Sequence, residues 1–473
     1  MRAYALLLVS LLALAGCAPV GPDYQRPAID APKSFRFEDK AAADVANTAW
    51  WEQFQDPVLN DLIKTALAEN KDVKIAAARI EEFLGRYGTT RSQLYPQVGA
   101  NANGQRQRAS QNAPPLALTP GVDPISSIFQ ATLSASWELD IWGRIRRLTE
   151  AARADLLASE EGRRATILTL VSSVAASYIN LRDLDRQLEI SNSTTDSRAQ
   201  SVKVFELRFS GGMVSEMELA QNQSEYESAA ATIPQIESQI AQLENALSVL
   251  LGRNPGPIAR GRELARLAPP AVPAGLPSQL LERRPDLRAA EQNLIAANAN
   301  IGAARALYYP TISLTGLLGG VSSQFSSLFS GSARTWAFGG AASAPIFTAG
   351  GIAGQVQQAE AQQQQALLQY QKSIQTAFQE VEDALVSLQK ARVQLAAQGR
   401  QIDALRTYTR LARLRYDNGY TSYIEVLDAE RSLFNAELSY TQTQGVVFAS
   451  LVNLYKAMGG GWVVDAERLT QSG

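Results

Sequence analysis

Histidine is absent from all 473 residues, and cysteine occurs once, at Cys17. The missing histidine removes the commonest general base and the commonest metal ligand together. No GxSxG elbow, Walker sequence or glycine-rich phosphate loop stands between a strand and a helix, so no nucleophile, base and orienting group can be assembled and an enzyme is not expected. Neither charge is in excess, with 44 Lys and Arg against 46 Asp and Glu. A nucleic-acid surface needs clustered cations, so no such partner is expected. The basic pairs Arg146-Arg147, Arg163-Arg164 and Arg283-Arg284 read as solvated helix faces. Beyond the N-terminus no run of about 18 apolar residues exists, which excludes a transmembrane helix. Proline is missing between Pro124 and Pro234 and after Pro345. That leaves room for two helices of roughly 65 to 70 residues, each about 100 Å long.

What is present begins with the cysteine. Residues 1–16 carry Arg2 and then a short apolar run, the form of a signal peptide. The ending Leu14-Ala15-Gly16-Cys17 resembles a bacterial lipobox, in which the cysteine thiol is acylated before cleavage, and Ala18 after it implies outer-membrane sorting. Acyl chains anchor without spanning. Residues 17–55 then read as a lipid-anchored tether holding Pro19, Pro22, Pro27 and Pro32, with Trp50, Trp51 and Phe54 as its docking patch.

The stretch Phe129 to Ile141 alternates without a miss, Phe129, Ala131, Leu133, Ala135, Trp137, Leu139 and Ile141 on one side and polar residues on the other. This is a two-faced strand, longer than a soluble strand needs and long enough for the 9 to 11 or so residues of a tilted membrane strand.

The chain is also duplicated. Arg91, Tyr95 and Pro96 recur as Arg305, Tyr309 and Pro310, and Leu207-Arg208, Gly212, Ser215 and Glu218 recur as Leu414-Arg415, Gly419, Ser422 and Glu425. Each unit reads helix, strand, loop, strand, long helix, turn, helix. Repeat one is 56–252 with a hairpin over about 95–141, a proline-rich linker fills 253–277, repeat two is 278–458 with a hairpin over about 311–344, and 459–473 is a tail. The strands expected are about 95–105, 129–141, 311–318 and 335–344; helices are expected over about 57–91, 214–251, 278–307 and 421–457. Ile167, Val174, Leu181 and Leu188, and Leu367, Ile374, Val381, Leu388 and Leu395, stand seven apart as coiled-coil-like seams.

Four strands cannot close a barrel, and open edges are not tolerated in hydrocarbon. Three copies give twelve strands, enough to leave a water-filled lumen. The motifs WWEQFQDPVLNDLI at 50–63, LLGRNPGPI at 250–258, LLERRPDLRAAEQNLIAANANIGAARALYYPTISLTG at 280–316, APIFTAGG at 344–351 and VLDAERSLFNAE at 426–437 resemble the TolC/OprM/NodT family of outer-membrane efflux channel lipoproteins over nearly the whole mature chain. The resemblance implies a mixed α and β membrane protein: a homotrimeric twelve-stranded transmembrane β-barrel continued by a long periplasmic α-helical barrel. It implies an exit channel docked to an inner-membrane RND-type pump through a periplasmic membrane-fusion adaptor. No cofactor is expected beyond the diacylglyceryl and N-acyl lipid on Cys17.

The resemblance also places a periplasmic aperture at the turns 209–215 and 416–422, with Glu425 and Asp428 as acidic lining, Arg431 as their basic partner, and Tyr416 and Glu218 as a latch between coils. Residues 425, 428 and 431 are three apart and lie near one helix face. In three copies they form rings of charge, with Arg431 offsetting part of the repulsion. The alternative for these charges is a solvated helix face with local pairs. The rival functions are type I protein secretion on the same fold and a lipid-anchored periplasmic coiled-coil scaffold, which leaves the strands unexplained.

Overall fold

A computed structural model describes residues 19–37, 48–110, 123–273 and 277–469; Cys17 and the signal segment lie outside the described residues. The elements run α1 (Pro57–Glu69), α2 (Lys71–Ser92), β1 (Gln97–Arg108), β2 (Ile125–Leu139), α3 (Arg144–Ser210), α4 (Glu216–Ala230), α5 (Thr232–Leu250), α6 (Pro277–Arg283), α7 (Pro285–Ala306), β3 (Thr311–Ser322), β4 (Arg334–Ser343), α8 (Gly351–Asp417), α9 (Tyr423–Ala457) and α10 (Trp462–Leu469). None of these helices is long and apolar enough to cross a membrane.

Two compact units cut across the duplication. The first takes Ile80–Ser159 and Ala290–Tyr370 with the chain before Ala28, and holds the whole sheet. The second takes Ala28–Arg79, Glu160–Ala289 and the chain from Gln371 onward.

In the first unit the strands stand in the order β1-β2-β3-β4, every neighbour antiparallel. Alternation sets the faces. Leu133 lies opposite Leu318, Leu318 opposite Trp336, and Trp137 opposite Leu314, so one face is apolar across the sheet. The other carries Asn101, Thr132 and Thr315. The apolar face is bare: Leu133 is 54% exposed, Trp336 67% and Phe338 77%. The hairpins are longer than the sequence predicts and their loops shorter, because β1 and β3 continue past their apolar residues into Gln105–Arg108 and Gly319–Ser322. Backbone pairing with the neighbouring strand, rather than side-chain pattern, carries these ends.

Several elements of the duplication keep their length. α2 and α7 are both 22 residues, β1 and β3 both 12, and α3 and α8 both 67. The hairpin registers are the same, Gln97 opposite Ser136 and Thr311 opposite Ser343.

Also in the first unit, the N-terminal segment is not loose. Val20 donates its N–H to the Trp142 carbonyl at 2.9 Å, Asn298 Nδ2 donates to the Pro22 carbonyl at 2.9 Å, and Tyr24 and Arg26 both reach Glu291. Arg147 bonds the Val20 and Gly21 carbonyls and the Asp23 and Glu150 carboxylates.

The second unit has the aromatic core. Trp50 stacks on Tyr455 at 5.2 Å, Trp51 meets Trp462 edge-on at 4.9 Å and Phe54 contacts Phe448. These residues are therefore core rather than a surface patch, and burying each ring is worth about 2 to 3 kcal/mol. Asp56 caps α1 at Val58 and Leu59 and accepts from the Tyr178 hydroxyl at 2.9 Å.

The basic pairs also need correction. Arg147, Arg163 and Arg284 are all under 9% exposed, and each is ion-paired, to Asp23 and Glu150, to Glu467, and to Asp286 and Glu380. A buried guanidinium requires such partners. Three of the helices expected to be continuous are broken. α1 ends at Asn70, whose Nδ2 donates to the Leu250 carbonyl at the end of α5. α6 ends at Arg284, whose Nη1 donates to the Ala457 carbonyl at the end of α9. α4 and α5 part at Ala231.

Gly252, which follows α5, has φ +71°, and an added Cβ would overlap the Glu69 carbonyl. Gly419 has a similar φ of +74°, but an added Cβ there would meet nothing within 4 Å. Gly252→Ala should therefore cost about 3 kcal/mol and Gly419→Ala about 1 kcal/mol. Denaturant unfolding of the detergent-solubilised protein reads the difference, and equal losses would contradict the packing assigned to Gly252.

Candidate functional site: the helical turns

The two turns joining long to short helices lie in the second unit and repeat each other atom for atom in the backbone. Met213 N–H donates to Arg208 O and Tyr420 N–H to Arg415 O, at 2.8 and 2.9 Å. Gly212 and Gly419 take φ +69° and +74°, which glycine tolerates without strain, and Ser215 and Ser422 both sit at φ −77° before the next helix.

The side chains diverge. Ser215 caps α4 in a capping box: its Oγ accepts from Glu218 N–H at 3.2 Å, while its own N–H and Oγ–H donate to Glu218 Oε2 at 2.9 and 3.1 Å. Ser422 makes no such side-chain bond. Its Glu, Glu425, is drawn instead to Arg415 Nη1 at 2.9 Å and to the Thr421 hydroxyl. The local reason is one residue: where the second turn has Thr421, the first has Val214, which offers no hydroxyl.

Tyr416 and Glu218, expected as a latch, do not meet within the chain. The Tyr416 hydroxyl accepts from Arg208 Nη1 at 2.9 Å, and the Arg208 guanidinium lies over the Phe205 and Tyr416 rings. Phe205 and Tyr423 close to 4.3 Å, and Tyr416 and Tyr423 to 4.9 Å, around a core with Ala412, Val426 and Ala429. Asp428 and Arg431 do pair, at 2.8 Å on the half-exposed face of α9. Arg431 also reaches Glu225 of α4 at 3.7 Å. The same Glu225 binds Arg198 at 3.2 Å, and burial pushes that guanidinium's pKa down. Arg413 holds Glu430 at 2.6 Å.

Sequence reasoning missed Arg198, Arg208, Arg413, Arg415 and Glu225. Arg208 and Arg415 were visible only as duplicated landmarks, and nothing local marked the others. Higher on α3, Asp183 is buried with Gln187 Nε2 as its bonded partner, and burial pushes its carboxyl up to about 6. No group of His, Cys, Asp and Glu suited to a metal exists among the described residues.

A sheet with one apolar and one polar face and two unpaired edges, joined to two 67-residue helices, is the protomer of a membrane channel built from several copies. A profile described as outer membrane efflux protein matches residues 62–253 and 276–460, the two halves of the duplication. Over 473 residues the chain is 38% identical to the probable efflux pump outer membrane protein TtgC of Pseudomonas putida, covering 98% of this chain and 97% of TtgC. It is likewise 38% identical over 456 residues to the cation efflux system protein CusC of Escherichia coli O6:H1, covering 95% and 97%. The solved outer-membrane channel OprN superposes with a TM-score of 0.86 at 29% identity, covering 94% of this chain and 99% of OprN. The chain belongs to the outer membrane efflux protein family.

The unlike use of the paired glutamates gives a test. Glu218→Ala should cost about 1 kcal/mol and speed amide exchange at the start of α4. Glu425→Ala removes no cap and should leave exchange at the start of α9 unchanged. Equal acceleration at both helices, read by hydrogen–deuterium exchange, would contradict this division.

Proposed function

We propose that the chain works as a homotrimer, anchored in the outer membrane through a lipidated Cys17, and forms the exit channel of a tripartite efflux pump. Three copies supply the missing edges of the sheet and leave a lumen faced by the polar side, while the 67-residue helices carry the passage into the periplasm. A periplasmic membrane-fusion adaptor couples it to an inner-membrane RND-type pump, which supplies the energy; the channel conducts passively. The family match over both repeats carries this reading.

The gate lies at the helical turns. Asp428 and Arg431 hold each other at 2.8 Å on α9, and Arg431 ties α9 to α4 through Glu225. Glu425 fastens the second turn to α8 through Arg415, and Tyr416 joins α8 to α3 through Arg208. Glu218 rigidifies the first turn through its capping box. Such half-exposed pairs are each worth about 1 kcal/mol or less. A gate made of them opens under a modest load, as docking of a partner complex can supply.

Removing both Asp428 and Arg431 by substitution with Ala should raise single-channel conductance of the purified protein in a planar bilayer several-fold. Unchanged conductance would reject the gate assignment while leaving the channel itself standing.

A further inference from the structure

The two hairpins, residues 97–139 and 311–343, hold five charged residues: Arg106, Arg108, Asp123, Glu138 and Arg334. They are sorted by end. At the end joined to the helices Glu138 is paired with Arg144 at 2.9 Å, and beside it Asp140 with Arg146 at 3.2 Å. At the opposite end stand three arginines and one carboxylate, Asp123, which accepts from the Ile125 N–H at 2.9 Å. Arg106, Arg108 and Arg334 are exposed, and none of the three has an ion-pair partner among the described residues.

The three also share a face. Side chains alternate along a strand, so Arg106 and Arg108 continue the row of Val98, Ala100 and Ala102, and Arg334 continues the row of Phe338 and Trp336. This is the apolar face, the one turned away from the lumen. From Val98 to Arg106 the strand rises about 27 Å, or about 20 Å along the membrane normal at a tilt of about 40°. A barrel's apolar band is about 25 Å tall, so these arginines stand at headgroup depth, where a cation on the lipid face costs little.

Beside them is an apolar shelf. The loop between β3 and β4 folds onto the same face: Phe325 meets Phe129 edge-on at 5.7 Å, and a Cβ added at Gly320 would overlap the Leu328 carbonyl. Phe325 is nevertheless 68% exposed and Phe329 84%.

We propose that this rim binds the phosphate-bearing glycolipid of the outer leaflet, with its phosphates on Arg106, Arg108 and Arg334 and its acyl chains against Phe325, Phe329 and Trp336. A guanidinium presents a planar fork of donors that matches phosphate oxygens two at a time. Arginines left unpaired at the edge of an apolar band, next to bare aromatic rings, suit a ligand that is anionic at one end and hydrocarbon at the other. The site rests on the outer-membrane orientation and the assembly of copies read above, and it adds a lipid ligand to them.

Native mass spectrometry of the detergent-purified protein, titrated with rough-type lipopolysaccharide, tests this. Substituting Arg106→Gln, Arg108→Gln and Arg334→Gln together should lower binding several-fold. The unsubstituted protein should bind dephosphorylated lipopolysaccharide as weakly as the triple variant binds the intact form, and inorganic phosphate should not displace the glycolipid. Equal binding by trimeric wild type and trimeric variant, equal binding of the dephosphorylated form, or displacement by inorganic phosphate overturns the glycolipid site and leaves the channel standing. Phosphatidylglycerol bound as tightly as lipopolysaccharide overturns the choice of lipid. A monomeric mass overturns the assembly on which the site rests.

Discussion

Backbone hydrogen bonding in a medium without water governs this molecule. A four-stranded sheet leaves two rows of N–H and C=O groups unpaired, and in hydrocarbon each costs several kcal/mol. No side-chain feature of the described residues compensates for this. The outer strands carry neither the prolines nor the bulges that blunt the edge of a soluble sheet, and their register runs unbroken. An edge left this regular is built to be continued by another strand.

Duplication is the economical answer to that constraint. One hairpin joined to one long helix, used twice, makes a single four-stranded sheet because the two repeats meet at β2 and β3. The symmetry is broken at the helical turns, where it does not affect pairing. The two helical turns share a backbone but not their ion pairs, and a single Thr421 in place of Val214 redirects a glutamate from capping its helix to binding Arg415.

The parts legible in the sequence are those fixed by local periodicity. The alternation through Trp137 gives a strand because side-chain period is two, and the proline-free stretches give helices because nothing interrupts them. What was not legible is set by partners distant in the chain. The breaks at Asn70 and Arg284 follow from carbonyls 180 and 173 residues away. Arg163 looked solvated because its carboxylate, Glu467, lies 304 residues on. At the turns, Glu425, Asp428 and Arg431 could be placed on one face with Arg431 as the basic partner, but not the bonds of Glu425 and Arg431 to other elements. Arg415 and Glu225 decide those, and neither carries a local signature.

The central claim is that β1 and β4 are interior strands of a closed wall in the assembled protein. Hydrogen–deuterium exchange of the protein in lipid nanodiscs tests it directly. The account predicts that amides of β1 and β4 exchange as slowly as those of β2 and β3. Fast exchange along β1 and β4, with protection confined to β2 and β3, would contradict it.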